Sequence, residues 1–214
     1  MSLVLGKIHY WLFNKIKWFE GLEENILEWS EDKKEFPLEQ WKDEIYSKYG
    51  MPTEDKPLEE MINTSNIHGW LQDKIFRAEG RQSAWVTRIL NKNPEYINDL
   101  ISIFEKQGTK LGSEYAEKAV VVHPVEIYNM LNDYILEGMP CDRVNETLEN
   151  NEDMFSWRTT KCLHATHWEE EGGDVNNFYK LREAWVKSFV KALNSSFRYY
   201  VTVENATRLH EIKR

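Results

Sequence analysis

Residues 7–21 read KIHYWLFNKIKWFEG, and residues 66–80 read NIHGWLQDKIFRAEG. Eight of the fifteen aligned positions are identical (Ile, His, Trp, Leu, Lys, Ile, Glu and Gly), at a constant offset of 59 residues. Each copy spaces three apolar residues four apart: Ile8, Leu12 and Ile16 in the first, Ile67, Leu71 and Ile75 in the second. That spacing marks one face of an α-helix. Asn63-Thr64-Ser65-Asn66 supplies N-cap chemistry for the second copy. Two similar helices are therefore expected, packed about a pseudo-two-fold axis. Two copies are too few for a solenoid.

Working outward, Pro37, Pro52 and Pro57 break the segment between the copies. Within it, residues 38–49 form a short amphipathic helix through Leu38, Trp41, Ile45 and Tyr49. Residues 82–90 continue or restart the second repeated helix until Asn91-Lys92-Asn93-Pro94 ends it. Residues 95–107 carry a further apolar stripe (Ile97, Leu100, Ile101, Phe104), with Gly108 placed as a C-cap. Residues 1–110 thus read as all-helical.

The remainder, 111–214, changes character. The β-branched run 119–123 suggests a short strand, and Pro124 then suits the first turn of a helix reaching Leu136. Residues 142–151 are polar and read as helix then loop. Period-two alternation predicts strands over 154–163 and 197–204, with a turn at Asn205-Ala206-Thr207 and a returning partner over 209–213. Between them, residues 174–193 are apolar at 178, 181, 185, 189 and 192–193, a helix. The class is α+β: a helical N-terminal half with a repeated helix, then a small antiparallel sheet packed with helices. The two stretches form either two units or one continuous domain.

With 214 residues the chain can bury a substantial core, and nine tryptophans make that core rich in rings. A net charge of -9 and a pI near 5.3 disfavour nucleic acid as a partner. The one basic local cluster, 208–214, is short. No apolar run reaches the roughly 18 residues that cross a bilayer. The apolar patch at 1–7 has neither the apolar core nor the cleavage site of a secretion signal. Cytoplasm is the expected compartment, and Cys141 and Cys162 are expected as reduced thiols.

The chemistry concentrates in TKCLHATHWEEE, residues 160–171. It gathers one of two cysteines, two of six histidines and three carboxylates. On a helix, His164, His167 and Glu171 share a face, and His167 and Glu171 stand four apart. Cys162 is the candidate nucleophile, His164 or His167 the base and Glu171 the orienting carboxylate. The same four are candidate ligands for a divalent metal, zinc or non-haem iron. The spacing equally suits a helix N-terminus with a solvated acidic face. His123, Arg158 and Tyr199 are candidate ligand-binding residues for a crevice where strand ends meet helices, and alternation alone does not assign the strand residues to a face. His9 and His68, at equivalent repeat positions, are expected at the edge of the apolar stripe, bonded to backbone or side chains.

Glu105-Lys106-Gln107-Gly108-Thr109-Lys110-Leu111-Gly112 leads into a helix, a strand ending in Lys161-Cys162, a second helix and a terminal hairpin. In that order residues 100–214 resemble the L-2-amino-thiazoline-4-carboxylic acid hydrolase-like family. The resemblance implies a small α+β domain that binds a small organic acid and opens a ring by hydrolysis. Cys162 matches the family's strand-end cysteine, and no cysteine follows it in 178–214, where the family carries more. Two functions are thus in play. One is binding or hydrolysis of a small molecule. The other is an interaction or sensor module whose Trp-bearing helices form a homodimer face or a partner groove.

Overall fold

The computed structural model describes residues 5–204 and 207–214. Residues 1–4 of the apolar patch at 1–7, and Asn205-Ala206 of the expected turn at 205–207, lie outside the described residues. The chain is α+β, a helical N-terminal half followed by a four-stranded antiparallel sheet. Among the described residues, no helix is long and apolar enough to cross a membrane.

The first copy lies in α1 (Lys7–Glu31) and the second in α4 (Ile67–Lys92). Asn66 caps α4, its side-chain oxygen accepting from the Gly69 N–H at 3.1 Å. His9 meets His68, Phe13 meets Trp70, and Glu23 meets Arg81. These pairs advance together along both helices, so α1 and α4 run side by side in the same direction, nearly in the register of the sequence offset. Of the two stripes, Leu12, Ile16, Ile67, Leu71 and Ile75 are buried, whereas Ile8, in the first turn of α1, is exposed. The predicted short helix is α2 (Leu38–Tyr49), which packs on α4 through Trp41 and Trp85. A single turn, α3 (Leu58–Met61), completes the connection.

Helix α5 (Ile97–Ala116) corrects the reading of Gly108: it is no C-cap, since the helix runs on for two more turns. Gly108 and Gly112 lie against α8 (Val175–Leu193). A Cβ at either would stand 2.4 Å from a carbonyl oxygen of α8, that of Trp185 or of Phe189. The two helices touch backbone to backbone there, which only glycine permits.

Helix α6 (Pro124–Asn132) starts at Pro124 as read, and Glu126 accepts from the His123 N–H at 2.9 Å. It stops four residues short of the expected end. The run at 119–123 is not a strand: Val121 is buried, while Val120 and Val122 point to solvent. The missing strand comes from 142–151 instead, as β1 (Asn145–Asn150). Every residue of β1 is exposed, so no alternation marked it. β1 pairs with β2 (Met154–Thr159), which also ends earlier than expected, and the sheet order is β1-β2-β4-β3 with β3 (Arg198–Glu204) and β4 (Thr207–Lys213). Its inner face (Phe155, Trp157, Thr159, Tyr199, His210, Ile212) is buried, with Tyr128 of α6 against Phe155 and Trp157. One set of touching apolar residues runs from Leu12 to Ile212 through both stretches of the chain.

Candidate functional site

Helix α4 is buried all round from Ala78 to Thr87, although Glu79, Arg81, Gln82, Ser83 and Thr87 are polar. A buried polar helix segment is expensive unless every group finds a partner. Arg81 turns toward α1 and bonds Glu20 at 2.6 Å and Glu23 at 2.7 Å. Glu79 turns the other way, toward α7 (Ala165–Glu170). Its oxygens lie 3.2 Å from His164 Nδ1 and 3.3 Å from His167 Nε2. The His164 contact has ion-pair distance without hydrogen-bond alignment. Glu20 and Glu79 occupy the same position in the two sequence copies.

His164 is almost fully buried, its ring tilted against Phe178 with centres 4.0 Å apart. Its Nε2 lies 3.2 Å from Glu137 Oε1. Burial opposes the imidazolium, but Glu79 and Glu137 outweigh it and hold His164 up at about 9. Glu137 also pairs with Arg182 of α8. Burial would raise this carboxyl. Arg182 and His164 reverse that and hold it at about 2. His167 is lowered by burial, with Glu79 opposing. At neutral pH His164 is therefore an imidazolium set between Glu79 and Glu137, and Glu137 a carboxylate set between His164 and Arg182.

The open chemistry lies on the far side of Glu137. There a cleft of about 390 Å³ is walled by Lys15, Tyr128, Asn132, Glu137, Arg143 and Asn145. Lys15 is 4% exposed. Its Nζ donates to Asn132 Oδ1 at 3.1 Å and sits 3.6 Å from the Trp11 ring centre. No carboxylate pairs with it among the described residues, because Glu137 is already committed to Arg182 and His164. Burial lowers the Lys15 amine to about 7, against the pull of Glu137 and Asp133. The rim loop bends at Gly138 (φ 68°) and Arg143 (φ 48°). Arg143 is the one non-glycine residue with positive φ among those described. Backbone held in that region concentrates at ligand sites.

Behind the cleft a smaller cavity of about 40 Å³ reaches the sheet. Tyr199 and His210 are joined there at 2.6 Å, His210 Nε2 meets Thr159 Oγ1 at 3.0 Å, and Thr159 donates to Asn145 Oδ1 at 2.7 Å. Burial lowers His210 to about 4, so the ring is neutral and has one donor and one acceptor. Thr159 gives its proton to Asn145 and so accepts from Nε2–H. Nδ1 then accepts from the Tyr199 hydroxyl. With its oxygen engaged, Asn145 keeps its amide N–H groups for the cleft.

The sequence candidates separate. His164 and His167 meet at Glu79. Glu171 is turned away from both imidazoles toward α2, where its half-buried carboxylate accepts from Lys48 and Tyr49, each at 2.6 Å. Cys162 is exposed, with the Tyr179 hydroxyl beside it, and among the described residues no hydrogen bond joins it to either imidazole. Among those residues, no three His, Cys, Asp or Glu side chains converge so as to hold a metal ion. Tyr199 lies in the relay behind the cleft. Arg158 is on the outer face of the sheet, 3.8 Å from Glu146, because its neighbours Trp157 and Thr159 point inward. His123 is exposed at the start of α6, away from the cleft. Lys15, Asn132, Glu137, Asn145, Arg182, His210 and Glu79 were not singled out as site residues. For two of them the sequence carried a signal: Lys15 and Glu79 stand at positions identical in both copies, where an apolar stripe alone would not require them.

A surface groove of about 720 Å³ between α1 and α5 is lined by Glu24, Glu28, Lys106 and Lys110, all exposed. Its buried polar group, Gln107, is already engaged, donating to the Trp18 carbonyl and accepting from Trp185. Comparison with models of known families, with curated proteins and with solved structures finds no match to this chain.

Proposed function

We propose that this protein binds a small organic acid in the cleft beside Lys15. The observation that carries the reading is an unpaired buried lysine in a cleft whose own carboxylate is already neutralised from behind. Arg182 and His164 balance Glu137 and Glu79, so Lys15 and Arg143 leave the cleft with surplus positive character. An anion satisfies both. Asn145 and Tyr128 add neutral polar contacts of the kind that fix a ligand's orientation. The volume of about 390 Å³ suits a molecule of a few carbons. The resemblance of residues 100–214 to a hydrolase-like family that handles a small organic acid points to the same class of ligand. The interaction-module reading has less support. Trp11 and Trp70 are half-buried in intramolecular packing, Trp11 donating to Asp133 at 2.8 Å.

The test is a thermal-shift and calorimetric titration with small mono- and dicarboxylates, run on the full chain and on Arg143→Ala. One class of acid should give a saturable heat of binding and raise Tm progressively with concentration, by the equivalent of about 2.7 kcal/mol at a hundred times Kd. Arg143→Ala should weaken that response at least tenfold. Indifference of the full chain to every acid at millimolar concentration would overturn the reading.

A further inference from the structure

We infer that Lys15 forms an imine with the carbonyl carbon of a small oxo acid seated in this cleft, whose carboxylate is met by Arg143. The inference rests on the organic-acid reading above and goes beyond it by adding a covalent step and a narrower ligand class.

The geometry separates Lys15 from an ordinary buried lysine. Buried ammonium groups are normally paired with a carboxylate. Here the nearest cleft carboxylate, Glu137, is held by Arg182 and His164, and the Lys15 amine is left with a neutral amide oxygen and an aromatic face. Nothing fixes its proton, and burial makes the neutral form accessible near pH 7. A desolvated lysine of this kind is the usual nucleophile toward carbonyl groups. Lys74 provides an internal comparison. It holds the same place in the second copy, lies over Trp70 at 5.3 Å, and is only half-buried.

In the step itself, the Nζ lone pair attacks the carbonyl carbon and forms a carbinolamine. The former carbonyl oxygen then leaves as water, carrying the two hydrogens of the amine. The product is a carbon–nitrogen double bond, which takes one proton from solvent to become an iminium. Glu137, held ionised, faces that positive charge across the cleft. No oxidant, reductant or metal enters the balance.

The test uses the full chain with pyruvate and sodium cyanoborohydride near neutral pH, read by peptide mapping, beside a Tm titration with pyruvate alone. The expected result is a reduced adduct at Lys15 exceeding that at Lys74 by at least about tenfold, the factor that one pKa unit makes in neutral amine. Lys15→Arg keeps a cation but cannot form the imine, and should lose the adduct while the remaining lysines label as before. Lys15→Met serves the same purpose if the guanidinium does not fit. A pyruvate-dependent rise in Tm without an adduct at Lys15 would overturn the imine and leave the binding reading standing. Labelling that follows lysine exposure, with no Tm response to pyruvate or to any other acid, would overturn both.

Discussion

Replacing Lys15 with methionine should make this protein more stable. The buried amine falls from its ordinary 10.5 to about 7, which at about 1.36 kcal/mol per unit corresponds to roughly 5 kcal/mol of unfavourable burial for the ammonium. Two terms offset the gain on removing it. The Trp11 ring contributes up to about 2 kcal/mol to a desolvated cation, and an unpartnered Asn132 oxygen costs about 1–3 kcal/mol. Methionine restores most of the volume without a charge. The net expectation at neutral pH is a gain of about 2 kcal/mol within a range of about 0–4, or several degrees in Tm at the centre for a chain of this size. The pH dependence gives a second readout. Below pH 7 native and unfolded chains both hold the proton, and the full penalty is present. Between 7 and 10.5 the native amine is neutral while the unfolded one is still charged, so stability rises with pH, by up to about 1.4 kcal/mol per unit. That component belongs to the wild type and should vanish from Lys15→Met. Urea unfolding of both proteins at several pH values measures it as a difference, which cancels the other titrating groups. A less stable variant, or a wild-type-minus-variant difference that does not change with pH, would refute the assignment of Lys15 as an unpaired buried amine.

Three further outcomes follow from the same contacts. Glu79→Gln removes one of the two carboxylates that hold His164 up at about 9. An NMR titration should find His164 displaced toward neutrality. The stability that imidazolium lends, complete below 6.5 and lost as pH rises through about 9, should shrink. Arg81→Met leaves Glu20 and Glu23 buried without their cation and should destabilise by about 3–5 kcal/mol in chemical unfolding. Gly108→Ala places a methyl 2.4 Å from the Trp185 carbonyl oxygen, a backbone atom that cannot rotate away, and should lose about 1–3 kcal/mol with a changed near-ultraviolet circular dichroism signal.

The helical half was legible because its stripes have one period and one face: Leu12, Ile16, Leu71 and Ile75 are buried as the spacing requires. The core strands were legible for the same reason, with Phe155 and Trp157 facing inward. β1 was not, since NETLEN lies wholly exposed on a sheet edge and owes its conformation to pairing with β2. Gly108 reads as a helix end in isolation, and only the neighbouring helix shows why it is internal. The site was legible in part. His164 and His167 share one partner, but that partner, Glu79, comes from 85 residues before His164, a distance no local motif spans. Lys15 was hidden for a further reason. Its meaning depends on Glu137 being occupied by Arg182 and His164, three elements that sequence does not place together.

The glycine contact between α5 and α8 has a mechanical consequence. Along α8, Phe178 backs His164, Arg182 clamps Glu137, and Trp185 and Phe189 rest on Gly108 and Gly112. One stiff rod therefore joins the seam, the clamp and the imidazole, with no side chain at the seam to absorb play. Any wedge that opened the seam by the width of a methyl would draw Arg182 along with it and loosen its grip on Glu137. The freed carboxylate could then turn to Lys15 and fix its proton. Arg182, Trp185 and Phe189 stand three and seven residues apart on one face of α8, so the glycine seam helps to hold the clamp on Glu137 in place.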